Sequence, residues 1–276
     1  MYIAIMQGRL VPPSEGRIQC FPRERWRDEF ALAAAAGLAA IEWIYDLHGA
    51  DVNPIAADDG LAKIRALSAQ SGVLVRSLCA DYFMDEPLLR ADQRKIEERT
   101  ETLVWLLGRC AILGASRVVL PFVDASRIDS DAELDHVVTV LERVLPVLEA
   151  TGVELHLETS LSSSRFADLL ARLPHAMLKV NYDSGNSASL GYNPTDEFAA
   201  YGTRVGSVHI KDRVNGGGTV PLGSGDTDFG ALFDCLGEIG YEGDFVLQVA
   251  RGTTGDEVAW ARRNREYVLA LQAGRA

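Results

Sequence analysis

The stretch VELHLETS, residues 153–160, reads as a strand that runs straight into a turn. Val153, Leu155 and Leu157 alternate with Glu154, His156 and Glu158, the two-residue period of a strand. A Ser-rich run, residues 161–164, then opens a helix. Glu158 therefore stands at the last strand position, just before a loop, where a parallel α/β barrel presents its chemistry. Three later stretches repeat the arrangement: LKVNYDSGN presents Asp183, VGSVHIKD presents His209, and DFVLQVAR presents Gln248. Two carboxylates, an imidazole and an amide at successive strand ends could converge on one metal ion.

Outward from that stretch the chain alternates throughout. Strands are expected at 2–8, 39–45, 73–80 and 117–123, then at VELHLETS, 178–183, 205–210 and 244–249. Helices are expected at 22–36, 61–71, 91–113, 130–150, 163–173, 196–201, 228–239 and 256–271. Gly37, Gly72, Gly114 and Gly240 act as helix stops, Pro22 sits in a first turn, and Pro146 is expected to bend its helix. Alternation with short connections implies parallel pairing through right-handed crossovers. Eight such units close into a single (β/α)8 TIM barrel, one domain over residues 1–276. An open doubly wound sheet would want a Gly-rich fingerprint after the first strand, and MQGRLVPP has one glycine.

Composition narrows the function classes. The 276 residues carry 27 Lys and Arg against 39 Asp and Glu, a formal net charge of −12. With no basic cluster, that charge repels nucleic acid and anionic membranes. Cys20, Cys79, Cys110 and Cys235 show no CxxC spacing, which fits reduced thiols in a cytoplasmic protein. MYIAIMQGRL lacks the basic start and long apolar core of a signal peptide, and no apolar run approaches the roughly 18 residues of a membrane span.

The order and spacing of MQGRL, IEW, LETS, DSGN, VHIKD, VPLGSGDTDF and GYEGDF resemble the xylose isomerase-like barrels. That group holds sugar isomerases, ketose 3-epimerases and inosose dehydratases. Endonuclease-IV-type nucleases share the fold, but the histidine poverty of this chain counts against a trinuclear zinc site. The resemblance implies one divalent metal ion, Mn²⁺ first, with Co²⁺, Mg²⁺ or Zn²⁺ as alternatives. Glu158, Asp183 and His209 match three of the four ligands. Gln248 stands at the fourth, where the family has Glu, and Asn186 stands where ketose 3-epimerases have His. Glu158 matches the family's base, which removes a proton beside a carbonyl to give an enediolate. Gln248 cannot accept a proton. One face of the carbon is then without a base, a loss that aldose–ketose isomerisation or elimination tolerates better than symmetric epimerisation.

Lys211 is expected either to neutralise developing charge in catalysis or to pair with Glu158 as a barrel salt bridge. Glu42, Asn186, Arg213 and Arg251 are the expected substrate contacts. The NGGG run, 215–218, suits either a phosphate or a mobile turn. Trp43 and Phe83 suit either a sugar-facing wall or the core. His156 suits packing beneath the metal, and His48, His136 and His175 suit the surface. Each ligand also has a plainer reading: Asp183 as a helix cap, His209 as a satisfied core histidine. The expected activity is a metal-dependent isomerase or epimerase acting on a sugar or sugar phosphate, in a homo-oligomer (dimer or tetramer). The alternatives are a dehydratase acting on a cyclic polyol ketone, or a non-catalytic sugar-binding barrel.

Overall fold

The structure is a computed structural model that describes residues 2–274; residues 1, 275 and 276 of the expected domain lie outside it. Eight strands alternate with eight main helices. The strands are β1 (Ile3–Met6), β2 (Ala40–Ile44), β3 (Leu74–Cys79), β4 (Arg117–Phe122), β5 (Glu154–Thr159), β6 (Leu178–Asp183), β7 (Val205–Ile210) and β8 (Asp244–Leu247). They close in the order β1-β8-β7-β6-β5-β4-β3-β2, every pairing parallel. The helices are α1 (Asp28–Ala35), α2 (Asp58–Ser71), α3 (Gln93–Leu113), α4 (Asp131–Thr151), α5 (Ser163–Arg172), α6 (Pro194–Tyr201), α7 (Phe229–Glu238) and α8 (Glu257–Ala273). Single-turn helices at Tyr82–Asp85 and Ser184–Ser189 sit in the loops after β3 and β6. Among the described residues no helix is long and apolar enough to cross a membrane.

The sequence periodicity located the elements, and tertiary contacts moved some boundaries. The helix expected from Pro22 begins at Asp28. Residues 23–27 form turns instead, with a helical Trp26 N–H to Pro22 O bond at 2.9 Å among them, and Asp46 Oδ2 accepts the Phe21 N–H at 2.7 Å just before them. Helix α4 runs continuously through Pro146. Strand β8 ends at Leu247, although the Gln248 N–H still donates to Ile210 O at 3.0 Å and keeps that residue on the barrel rim.

Alternation along β5 gives two buried faces. Leu155 and Leu157 join the apolar layer between sheet and helices. His156 points inward, since its Nδ1 lies 2.7 Å from Ser207 Oγ on β7. The barrel interior is unusually polar for a fold normally filled by branched apolar side chains. At its floor, Asp244 Oδ2 accepts from Arg117 Nη1 at 2.9 Å and Arg76 Nε at 3.1 Å. Above the floor, His156 is buried, and burial pulls its pKa down to about 4 despite the opposing Glu154 carboxylate. From Ser207 the hydrogen bonds climb through Asn181 Oδ1 (2.6 Å) to Glu158, which accepts from Asn181 Nδ2 at 2.8 Å. This column runs from His156 to the rim.

The MQGRL segment is architectural. Gly8 adopts φ +83°, and a Cβ there would lie 2.8 Å from Cys20 O. Glu29 on α1 accepts the N–H groups of Gly8 (2.7 Å) and Leu10 (3.3 Å), fixing the loop after β1. Burial raises the Glu29 carboxyl to about 8 against those two hydrogen bonds. Between the ordinary carboxylate range and pH 8 the unfolded chain has released this proton while the folded chain keeps it. Stability therefore falls as pH rises through that window, by up to about 1.4 kcal/mol per pH unit. A Glu29→Gln protein should lack that fall. Denaturant melts of both proteins at pH 5 and pH 8 check this, and identical pH dependence would contradict it.

Candidate metal centre and active site

Strands β5, β6 and β7 bring three expected ligands together. One ligand atom each from Glu158, Asp183 and His209 lies within 4.8 Å of the others, and all three residues are buried. A register shift between β6 and β7 at Val180/Asn181 sets Asp183 directly opposite His209. Asp183 fills its helix-cap reading and also stands in the candidate metal cluster. Its Oδ1 caps the Ser184–Ser189 helix by accepting the Asn186 N–H at 2.8 Å, while Oδ2 lies 3.9 Å from His209 Nδ1.

His209 is held from behind. Its Nε2 lies 2.7 Å from Glu42 Oε1, and both side chains are fully buried. Glu42 was expected to touch substrate; the structure makes it the carboxylate that orients the imidazole, a recurring partnership behind metal-binding histidines. Burial opposes charge on His209, but Glu42 and Glu158 outweigh it and raise the imidazole to about 10. Burial likewise opposes a charged Glu42, and His209 wins, holding the carboxyl below its ordinary value. His209 Nδ1 lies 3.1 Å from Glu158 Oε2, yet it is a buried atom without a hydrogen-bond partner. That orphaned nitrogen, aimed between two carboxylates, fits a divalent cation, which would displace its proton.

Two amides secure Glu158: Asn181 Nδ2 donates to Oε2 at 2.8 Å, and Asn186 Nδ2 donates to Oε1 at 2.7 Å. Lys211 does not pair with Glu158, as one expectation had it. Its Nζ donates to Gln248 Oε1 at 2.9 Å and Asp183 Oδ2 at 3.2 Å. Gly185 makes room for it, since a Cβ there would lie 2.6 Å from Lys211 Cγ.

These residues open into a cavity of about 370 Å³ at the C-terminal end of the barrel, within the size range of small-molecule sites. Glu158, Asn186, Lys211, Arg213 and Gln248 line it, and so does the half-buried His48. Arg213 Nη1 donates to Asn186 Oδ1 at 2.9 Å. Asp212 anchors the neighbouring wall, accepting N–H groups from Gly223, Ser224, Gly225 and Thr227, which accounts for the VPLGSGDTDF motif. The NGGG run forms the turn of a small antiparallel ribbon, Asp212–Arg213 with Thr219–Val220. Arg251 is not brought to the cavity: it donates to the carbonyls of Ile18, Val11 and Gly8 and clamps the loop after β1. Trp43 is no sugar wall either. It lies in the core against Trp26, Phe21 and Phe30, and Phe83 is also buried.

Several cavity residues escaped the sequence reading, Asp81, Gln19 and Arg17 among them. Asp81 closes SLCAD just past β3, and the logic that picked Glu158 would have found it. Gln19 lies in an irregular loop, where no periodic signal exists.

Comparison with known proteins agrees with this architecture. L-ribulose-5-phosphate 3-epimerase UlaE of Escherichia coli is 23% identical over 261 residues, covering 91% of this chain and 91% of that protein. Among solved structures, the IOLI protein with a bound zinc atom superimposes with a TM-score of 0.78 at 17% identity, covering 98% of each chain. L-ribulose 3-epimerase superimposes with a TM-score of 0.76 at 19% identity, covering 99% of this chain and 95% of that one. The family description "Xylose isomerase-like TIM barrel" matches residues 30–271. With the closed eight-stranded barrel and the carboxylate–histidine cluster at its rim, the chain belongs to the xylose isomerase-like TIM barrel family.

Proposed function

We propose that this protein is a sugar-phosphate or sugar isomerase/epimerase that moves a proton at the carbon beside a ketose carbonyl, with Glu158 as the base. The observation that carries this reading is the setting of Glu158. It is a buried carboxylate on the wall of a sugar-sized cavity, beside His209 and Asp183, held by two amide donors. The kinship with ketose 3-epimerases adds to it. Glu158, Asp183 and His209 would hold one divalent ion, Mn²⁺ by the hardness of the donors. When bound, that ion would supply Lewis-acid stabilisation of negative charge on the substrate's oxygens.

The chain's own residues do the rest. Glu158 takes the proton. Asn181 and Asn186 fix its carboxylate plane, and Glu42 fixes the imidazole beside it. Lys211 places a positive charge beside Asp183 and Gln248, close to where oxyanion charge develops. Arg213 and Arg17, which line the same cavity, suit an anionic substrate end such as a phosphate. The test is deuterium incorporation at the carbon next to the carbonyl when L-ribulose 5-phosphate, L-ribulose or D-allulose is incubated with the Mn²⁺-loaded protein in heavy water. Incorporation supports the reading, and an inert protein across all three sugars contradicts it.

Gln248 offers a second check. Its Oε1 lies at the rim but brings no charge. Gln248→Glu adds a negative ligand candidate and should tighten Mn²⁺ binding by about tenfold or more, since ligand charge sets affinity at such sites. Calorimetric titration measures it; unchanged affinity would place residue 248 outside the coordination sphere.

A further inference from the structure

With Gln248 unable to move a proton, the cavity has a base on the β5 side and no acid at the β8 position. Asp46, Asp81, Asp85 and Asp124 nevertheless line the same cavity, and Asp81 is the one whose side chain is tied by an amide chain to Gln248. Asp81 lies just past β3, buried, on the cavity wall with Glu158. It precedes the Tyr82–Asp85 helix, but its side chain makes no capping hydrogen bond, so helix capping does not account for it. Its oxygens accept from Gln19 Nε2 at 2.7 Å and from Cys79 Sγ at 3.1 Å, both uncharged donors.

Gln19 is the last amide of a directed chain that ends at Asp81. Lys211 Nζ donates to Gln248 Oε1, Gln248 Nε2 donates to Gln19 Oε1 at 3.0 Å, and Gln19 Nε2 donates to Asp81. Each amide accepts on the lysine side and donates on the Asp81 side. A glutamate at 248 could accept from Lys211 but could not donate to Gln19. The amide at 248 and the buried carboxyl at 81 therefore belong to one hydrogen-bonded arrangement, in which Arg9 Nη2 also donates to Gln19 Oε1 at 3.0 Å.

We propose that Asp81 is the second proton-handling residue of this site, a catalytic acid that serves the face of the substrate carbon left without one at position 248, with Gln19 and Gln248 as its positioning residues. The inference rests on the proposed function. Burial, reinforced by the charges of Asp46 and Glu158 and opposed by Gln19 and Cys79, pushes the Asp81 carboxyl up to about 6, close to the range a general acid needs. In the forward step the C–H bond breaks, its proton passes to a Glu158 oxygen, and the electron pair remains on the enediolate. The Asp81 O–H then breaks, its proton forms the new C–H bond on the other face, and Asp81 is left as carboxylate. Exchange with water through the open cavity returns both groups to their starting forms. With Asp81 in this role the site can epimerise, where Gln248 alone would confine it to one face.

The test uses the Mn²⁺-loaded full-length protein in heavy water with the same three ketoses. Wild type should form the epimer with deuterium at the reacting carbon. Asp81→Asn should lower epimer formation by about 10²-fold or more, while deuterium wash-in to the recovered substrate, which needs only Glu158, stays within a few-fold. Gln19→Leu keeps the carboxyl and should lower epimer formation less than Asp81→Asn does. Epimer formation by Asp81→Asn at the wild-type rate, or equal loss of wash-in and epimer, overturns the assignment and leaves the proposed function standing. Absence of any exchange in wild type overturns the proposed function, and the assignment with it.

Discussion

A Glu158→Gln protein should fold, and should lose proton exchange by about 10²- to 10⁴-fold, the usual effect of removing a general base. The substitution keeps the side chain's shape in a buried position where Asn181 and Asn186 both donate to the carboxylate. A glutamine can accept only one of those two hydrogen bonds without an amide rotating. The stability loss is then on the order of 1–3 kcal/mol, that of one unsatisfied buried donor. Weaker metal binding adds to the kinetic loss, so exchange is measured at saturating Mn²⁺. Wild-type exchange under that condition would remove Glu158 from the chemistry.

The largest stability loss is expected at the opposite end of the barrel. Asp244 is buried and neutralises Arg117, whose Nε and Nη2 already lack partners, and it also receives Arg76. Asp244→Ala leaves the Arg117 guanidinium buried without its counter-charge, which costs about 3–5 kcal/mol when one partner of a buried pair is removed. Replacing both members, Arg117→Met with Asp244→Leu, should recover most of that loss, because the desolvation of two charges disappears with them. Denaturant melts of the single and double variants measure the coupling. Equal losses in both would show that the floor depends on packing rather than on the ion pair. Neither variant touches the cavity, so exchange by the folded protein should persist.

The fold was legible because its signal is periodic. Short apolar runs, each followed by a helical segment and often punctuated by glycine, recur eight times, and tertiary context changed only their edges, as at Pro22 and Leu247. The candidate metal-binding trio was legible for a related reason: strand-end position is a local property, and it carried Glu158, Asp183 and His209 to one point. Contacts across the barrel were not legible. Glu42 looked like a substrate contact as a carboxylate inside the second strand run, but its place opposite His209 depends on closure of the barrel. Arg251 follows a strand end, yet the loop after β1 folds over it and engages all three of its guanidinium nitrogens. Trp43 alternates with Glu42 and so faces the helices. Lys211 chose Asp183 and Gln248 over Glu158 because the tight approach of Gly185 directs its stem.

The proposed chemistry needs one ion at one place. Crystals of the protein soaked in Mn²⁺ and measured for anomalous scattering test it most directly. The account predicts a single strong peak per chain at the C-terminal rim, bounded by Glu158, Asp183 and His209 Nδ1 at about 2.0–2.6 Å. No peak at that position, or a peak that leaves His209 Nδ1 outside coordination distance, would contradict it.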